Sequence, residues 1–129
     1  MGNSADAFDR LVVLAGTIVA GVPDLTQARD QITDPDDLAM LDWIVSSSVS
    51  LQDLTGQVRA AGCLTRSQRH ALRNCLNAVK GGSQLIVEGA PDNGLDPSGA
   101  AVSCADGLIV QADGYLTCLD TVPVVDALA

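Results

Sequence analysis

Apolar residues recur at intervals of three and four from Phe8 onward: Phe8, Leu11, Val12, Ala15, Ile18 and Val19 share one face of a predicted helix. Ser4 is placed to cap that helix, Asp6 and Asp9 suit its positive end, and Gly21 with Pro23 marks its expected stop. Val13, Leu14 and Ala20 widen the stripe, and a helix apolar over so much of its circumference needs neighbours on more than one side. A short second helix is expected from Pro23 to Ile32, with Leu25, Ala28 and Ile32 inward.

The strongest boundary follows at Thr33-Asp34-Pro35-Asp36-Asp37: a capping residue, proline at the first helical position and two acids in the first turn. The helix it opens is predicted to reach Ala61, with Leu38, Leu41, Ile44 or Val45, Leu51, Leu54 and Val58 along one line. The serine-rich stretch Ser46–Ser50 forms helix poorly and is expected to bend or break it. Thr65 with Gln68 three residues on reads as a capping box for a further helix, whose inner face is Leu72, Cys75, Leu76 and Val79 and whose stop is Gly81-Gly82.

Beyond Gly82 the periodicity changes. Ser83–Val87 reads as a strand and Ala90–Gly99 as a loop of turn residues. Asp-Gly at 106–107 and again at 113–114 suits two-residue hairpin turns, which predict a three-stranded meander over Ala101–Ala105, Leu108–Ala112 and Tyr115–Leu119. The fold class expected is therefore α+β: one domain over 1–129, with an N-terminal bundle of three to four helices (1–82) followed by a small antiparallel β-meander (83–129). In that register Ile109 separates Cys104 from Cys118 by two strand spacings, about 9–10 Å, too far for a disulfide. Any bridge would run from either one to Cys63 or Cys75.

Composition narrows the chemistry. Hydrophobic residues make up 47% of the 129 positions, yet aromatics only 2%, so the core must be built by packing small aliphatic side chains. Charge is ordered along the chain. Residues 1–58 hold nine acids against Arg10 and Arg29, residues 59–80 hold Arg59, Arg66, Arg69, Arg73 and Lys80 with no acid, and residues 81–129 hold seven acids with no base. The blocks carry −7, +5 and −7, giving the net −9. A basic stripe of Arg66, Arg69 and Arg73 between acidic blocks suits contact with copies of the chain or with an acidic protein partner. Nucleic acid is disfavoured, because the rest of the surface repels phosphate.

Catalytic and metal signatures are missing. The four cysteines, Cys63, Cys75, Cys104 and Cys118, are separated by eleven, twenty-eight and thirteen residues with no Cys-x-x-Cys, so they read as structural thiols or disulfides rather than zinc ligands. His70 lies about 140° around the helix from Cys75, which argues against a nucleophile–base pair. Asp92-Asn93-Gly94-Leu95-Asp96 lacks calcium-loop spacing and reads as an Asx-rich turn. No cofactor, metal or catalytic residue is expected, and the chain is expected not to be an enzyme. The apolar run Leu11–Val22 is shorter than a membrane span, Gly2 sits in a poor myristoylation context, and no secretory signal is visible. A soluble chain, or one built into an extracellular or virion assembly, is therefore expected.

The functional expectation is a non-enzymatic structural subunit that self-associates into a filament, tube, shell or virion. Its interface would use Phe8, Leu11, Val12, Ala15, Ile18 and Val19 together with Arg66, Arg69 and Arg73. The alternative is a monomeric, disulfide-stabilised extracytoplasmic module that binds or inhibits a partner.

Overall fold

The computed structural model describes residues 3–125, and side chains from Asp6 onward; Gly2 and Asp126 lie outside them. Four long helices follow one another: α1 (Asn3–Gln27), α2 (Pro35–Ala61), α3 (Arg66–Gly89) and α4 (Ala100–Leu119). Each packs on the next and α4 closes on α1, so the chain forms an up-down four-helix bundle around one core.

The expected α+β class is corrected: the described residues contain no strand and no sheet, only an isolated bridge between Leu64 and Val124. The segment read as a β-meander is α4. Ala101, Ala105, Leu108, Ala112, Tyr115 and Leu119 are all buried and are spaced alternately by four and three, so a helix hides them together. The Asp-Gly pairs lie on its outer side, where a side chain added at Gly107 or Gly114 would meet nothing. Local turn chemistry is overruled by the burial of this stripe. Ser83–Val87 is likewise the last part of α3, with Ser83 and Ile86 buried.

Two expected stops are also passed. α1 runs through Pro23 to Gln27 and continues as a 3-10 turn, Ala28–Gln31, so there is no separate second helix; Ser4 falls inside α1. An internal proline costs about 3 kcal/mol. Continuing the helix buries Val22 and Leu25, worth about 1.5–3 kcal/mol each, and extends the line to Ala28 and Ile32. α3 runs through Gly81-Gly82 because Gly82 is a packing residue. A Cβ there would come within 2.9 Å of the Ile44 side chain, so glycine lets α2 and α3 approach closely. Gly81, one position earlier, faces open space. Gly82→Ala is expected to destabilise the bundle, since overpacking of about 1–3 kcal/mol outweighs a propensity gain of about 1 kcal/mol. Gly81→Ala should instead gain about 0.5–1 kcal/mol. Urea denaturation of both variants reads the difference, and an equal shift in the two would refute this account of Gly82.

The boundaries of α2 and the start of α3 agree with the sequence. Asp34 accepts the Asp37 backbone N–H at 3.0 Å with Pro35 opening the helix, and Thr65 and Gln68 form both halves of the capping box. Gly62, at φ 71°, ends α2 in the left-handed conformation that glycine tolerates. The serine stretch does not break α2; Ser46 and Ser48 donate back to the carbonyls of Trp43 and Val45. The inward line of α2 is Asp37, Leu41, Ile44, Ser48, Leu51, Thr55 and Val58, a four-three repeat suited to bundle packing.

At the centre of the core, Thr55 on α2 and Tyr115 on α4 share a 2.7 Å hydrogen bond, and Thr55 also donates to the Leu51 carbonyl at 2.6 Å. Both residues are buried, so each hydroxyl has the partner that burial demands. Near the C-terminal end, Val125 donates its N–H to the Leu64 carbonyl at 2.8 Å, tying that segment to the α2–α3 loop.

Candidate functional site

A lateral surface feature follows the seam between α2 and α3. On α2, Asp36, Met40, Trp43, Ser47 and Ser50 stand three or four residues apart, just beside the inward line, and so share the flank facing α3. Across from them on α3 lie Glu88, Leu85, Gly81, Ala78 and Asn74. Two depressions sit end to end along this seam. One, of about 580 Å³, is lined by Asp34, Asp36, Asp37, Met40, Leu85, Glu88 and Asn93. The other, of about 300 Å³, is lined by Trp43, Ser46, Ser47, Ser50, Asn74, Cys75 and Ala78. The closely packed Ile44 and Gly82 lie beneath the seam between them.

The groove has an acidic end, an apolar middle and a small polar end. Its middle is exposed: Trp43 is 47% accessible and Leu85 53%. At the acidic end Asp37 is buried and accepts a hydrogen bond from the Asn93 amide at 3.2 Å. Burial pushes the Asp37 carboxyl above its ordinary range; the Asn93 bond opposes this, and the neighbouring Asp34 and Asp36 carboxylates add to it. Asp37 therefore holds Asn93, and with it the α3–α4 loop, against the start of α2. Asp34, Asp36 and Glu88 form no ion pair with a lysine or arginine among the described residues.

The residues singled out from sequence are distributed differently. Phe8, Leu11, Ala15 and Ile18 are sealed inside the chain's own core. Val12 is partly exposed, Val13 is 66% exposed and Val19 is half-buried. Arg69 and Arg73 both reach Asp120 on the turn after α4, Lys80 meets Asp113 at 2.6 Å, and Arg59 meets Asp9 at 2.5 Å. Much of the basic stripe is thus matched by the acidic block of the same chain. Arg66 opens α3 on the surface and is also engaged. Such exposed pairs contribute about 0–1 kcal/mol each.

Cys63, Cys75, Cys104 and Cys118 are all free thiols. Cys104 and Cys118 share α4, and fourteen residues of helix separate them by about 21 Å. They cannot bond to each other, for a reason other than the strand geometry expected. Cys75 lines the α2–α3 groove, Cys104 lies between α1 and α4, and Cys118 is close to the Ala7 carbonyl. Burial pushes the Cys75 thiol up, and burial with the Asp24 carboxylate does the same to Cys104, so neither is an activated nucleophile. His70 is exposed. Among the described residues no cluster of histidine, cysteine and acids is arranged to hold a metal. The 92–96 loop is a turn: Gly94 takes φ 79° and Asp96 accepts from the backbone and hydroxyl of Ser98, bonds that lower its pKa.

The stretch Asp6–Gln31 is long and apolar enough, by length and composition, to cross a membrane, and so exceeds the Leu11–Val22 run used to argue against a span. In this fold its inward line is part of the core.

The inward lines of the sequence do not mark the groove, which lies beside them. The available sign was Trp43, the only tryptophan, set one position off the core line on a flank shared with Met40. Fold and surface together define a helical-bundle protein with a lateral groove. Comparison with protein-family models, curated proteins and solved structures finds no significant match to the chain.

Proposed function

We propose that this chain is a non-catalytic binding module, a monomeric four-helix bundle that docks a protein partner along its α2–α3 face. The observation that carries this reading is the half-exposed Trp43, which lines one of the two depressions along the α2–α3 seam while the exposed Leu85 lines the other. Tryptophan is strongly enriched at the energetic centres of interfaces, and Trp43 stands half outside a core that buries the chain's other two aromatics, Phe8 and Tyr115. The features that favoured self-assembly have uses within one chain: the inward stripe of α1 is covered, and Arg69, Arg73 and Lys80 are paired with carboxylates of the same molecule. The disulfide staple of the alternative expectation has no support in the four free thiols, but its binding role does not depend on one.

A self-associating subunit is the second reading, favoured by Val12 and Val13 on the outer side of α1. Light scattering across a salt series separates the two. The binding-module reading expects one species of 13.2 kDa at every salt concentration. Particles that grow with protein concentration would replace it with the subunit. Photo-crosslinking locates the docking face: a benzophenone side chain at position 43 is expected to give a discrete adduct in source cells, and one at Val110, exposed on α4, none. Equal adducts from both positions would remove the α2–α3 face from the proposal.

A further inference from the structure

Resting on the binding-module reading, we infer that the occupant of the α2–α3 groove is a basic amphipathic helix from another protein, with its cations at one end. Three properties of the groove select this chemistry. First, its two depressions lie along the seam between two antiparallel helices, and the stretch of α2 from Asp36 to Ser50 that lines them rises about 21 Å, or about four helical turns, the setting in which helices lay an apolar face. Second, its middle offers Met40, Trp43 and Leu85, enough to receive apolar side chains at three- and four-residue spacing. Gly81 there leaves open space above the α3 backbone, which permits close approach. Third, its charge lies at one end. Asp34, Asp36 and Glu88 have no cationic partner among the described residues, while the other end presents Ser46, Ser47, Ser50 and Asn74.

The same charge census argues against a second copy of this chain as the occupant. Of seven lysines and arginines, Arg29, Arg59, Arg69, Arg73 and Lys80 are already joined to carboxylates of their own molecule. Two copies would also bring together surfaces that each carry net −9. A cationic partner removes that repulsion and is steered towards the acidic end.

The test uses the full chain and a fluorescein-labelled amphipathic peptide of about 18 residues, enough to span the channel. Leucines form one face, lysines fill the first two turns and glutamines the rest; a matched peptide carries glutamate for lysine. Anisotropy at 0.15 M salt and the emission of Trp43 are read together. The lysine peptide is expected to bind saturably with a blue shift of Trp43, and the glutamate peptide to bind at least about tenfold more weakly. Asp36→Lys with Glu88→Lys should weaken the lysine peptide by about tenfold, whereas Asp106→Lys, exposed on α4, should change it less than about twofold. Because lysine at the start of α2 opposes the helix dipole, the neutral pair Asp36→Asn with Glu88→Gln is measured beside it and should weaken binding in the same direction.

Equal weakening by the α4 and groove variants would mean attraction to net charge alone and overturn the inference. Equal binding of both peptides, or of neither, would also overturn it. If neither binds while crosslinking from position 43 still gives its discrete adduct, the partner class is wrong and the binding-module reading stands. Concentration-dependent particles would remove both.

Discussion

Tyr115→Ala is expected to destabilise the bundle by about 3–5 kcal/mol, the range for truncating a large aromatic in a closed core. Tyr115 is fully buried, sits between Ala112 and Leu119 on the inward line of α4, and bonds across the core to Thr55. Truncation leaves a cavity and strips Thr55 of one of its two partners. Tyr115→Phe keeps the volume and removes only the bond, so about 1 kcal/mol is expected. Urea denaturation distinguishes the two, and equal losses would mean that packing of the ring is not the main term.

The same hydroxyl makes the protein sensitive to alkali. Burial pushes the Tyr115 phenol up to about 12 from an ordinary 10, with the Thr55 bond opposing that shift. The fold therefore holds the neutral form. Its advantage is fully present below pH 10 and is lost as pH rises from about 10 to about 12, amounting to about 2–3 kcal/mol. Tyr115 is the only tyrosine, so absorbance of the phenolate reports this group alone. Ionisation in the folded protein near 10 would refute the burial argument, and the Phe variant should lose this part of the pH dependence.

Deletion of residues 1–27 is expected to abolish cooperative folding. Phe8, Leu11, Ile18, Val22 and Leu25 are all buried against the other helices, and each of these larger side chains is worth about 1.5–3 kcal/mol. Together they match the whole stability of an ordinary domain, about 5–15 kcal/mol. The remaining three helices would also expose the stripes that α1 covers on α2 and α4. A sharp urea transition in the truncated chain, followed by circular dichroism, would mean that α1 is peripheral.

The parts of the fold legible in the sequence are those set by contacts within a few residues. Asp34-Pro35 and the Thr65–Gln68 box start helices because they satisfy backbone N–H groups that the first turn leaves open, and no distant residue is needed for that. Where helices stop was less legible. Pro23, Gly81-Gly82 and the Asp-Gly pairs of α4 are all local breakers, and each is overridden by side chains buried against another helix. The groove was less legible still, since it needs α2 and α3 side by side before Trp43, Leu85, Asp36 and Glu88 belong to one surface.

By itself the sequence determined an aliphatic, acidic chain with one amphipathic first helix, two well-capped helix starts and no catalytic or metal motif. Only the tertiary structure decided that the second half is helical, that the basic stripe answers the chain's own acids, and that the first helix spends its inward face on its own core. The physical reason is the same throughout. Caps and turns act through single hydrogen bonds of about 1 kcal/mol, whereas a buried stripe sums several side chains at about 1.5–3 kcal/mol each, and the larger sum fixes the conformation.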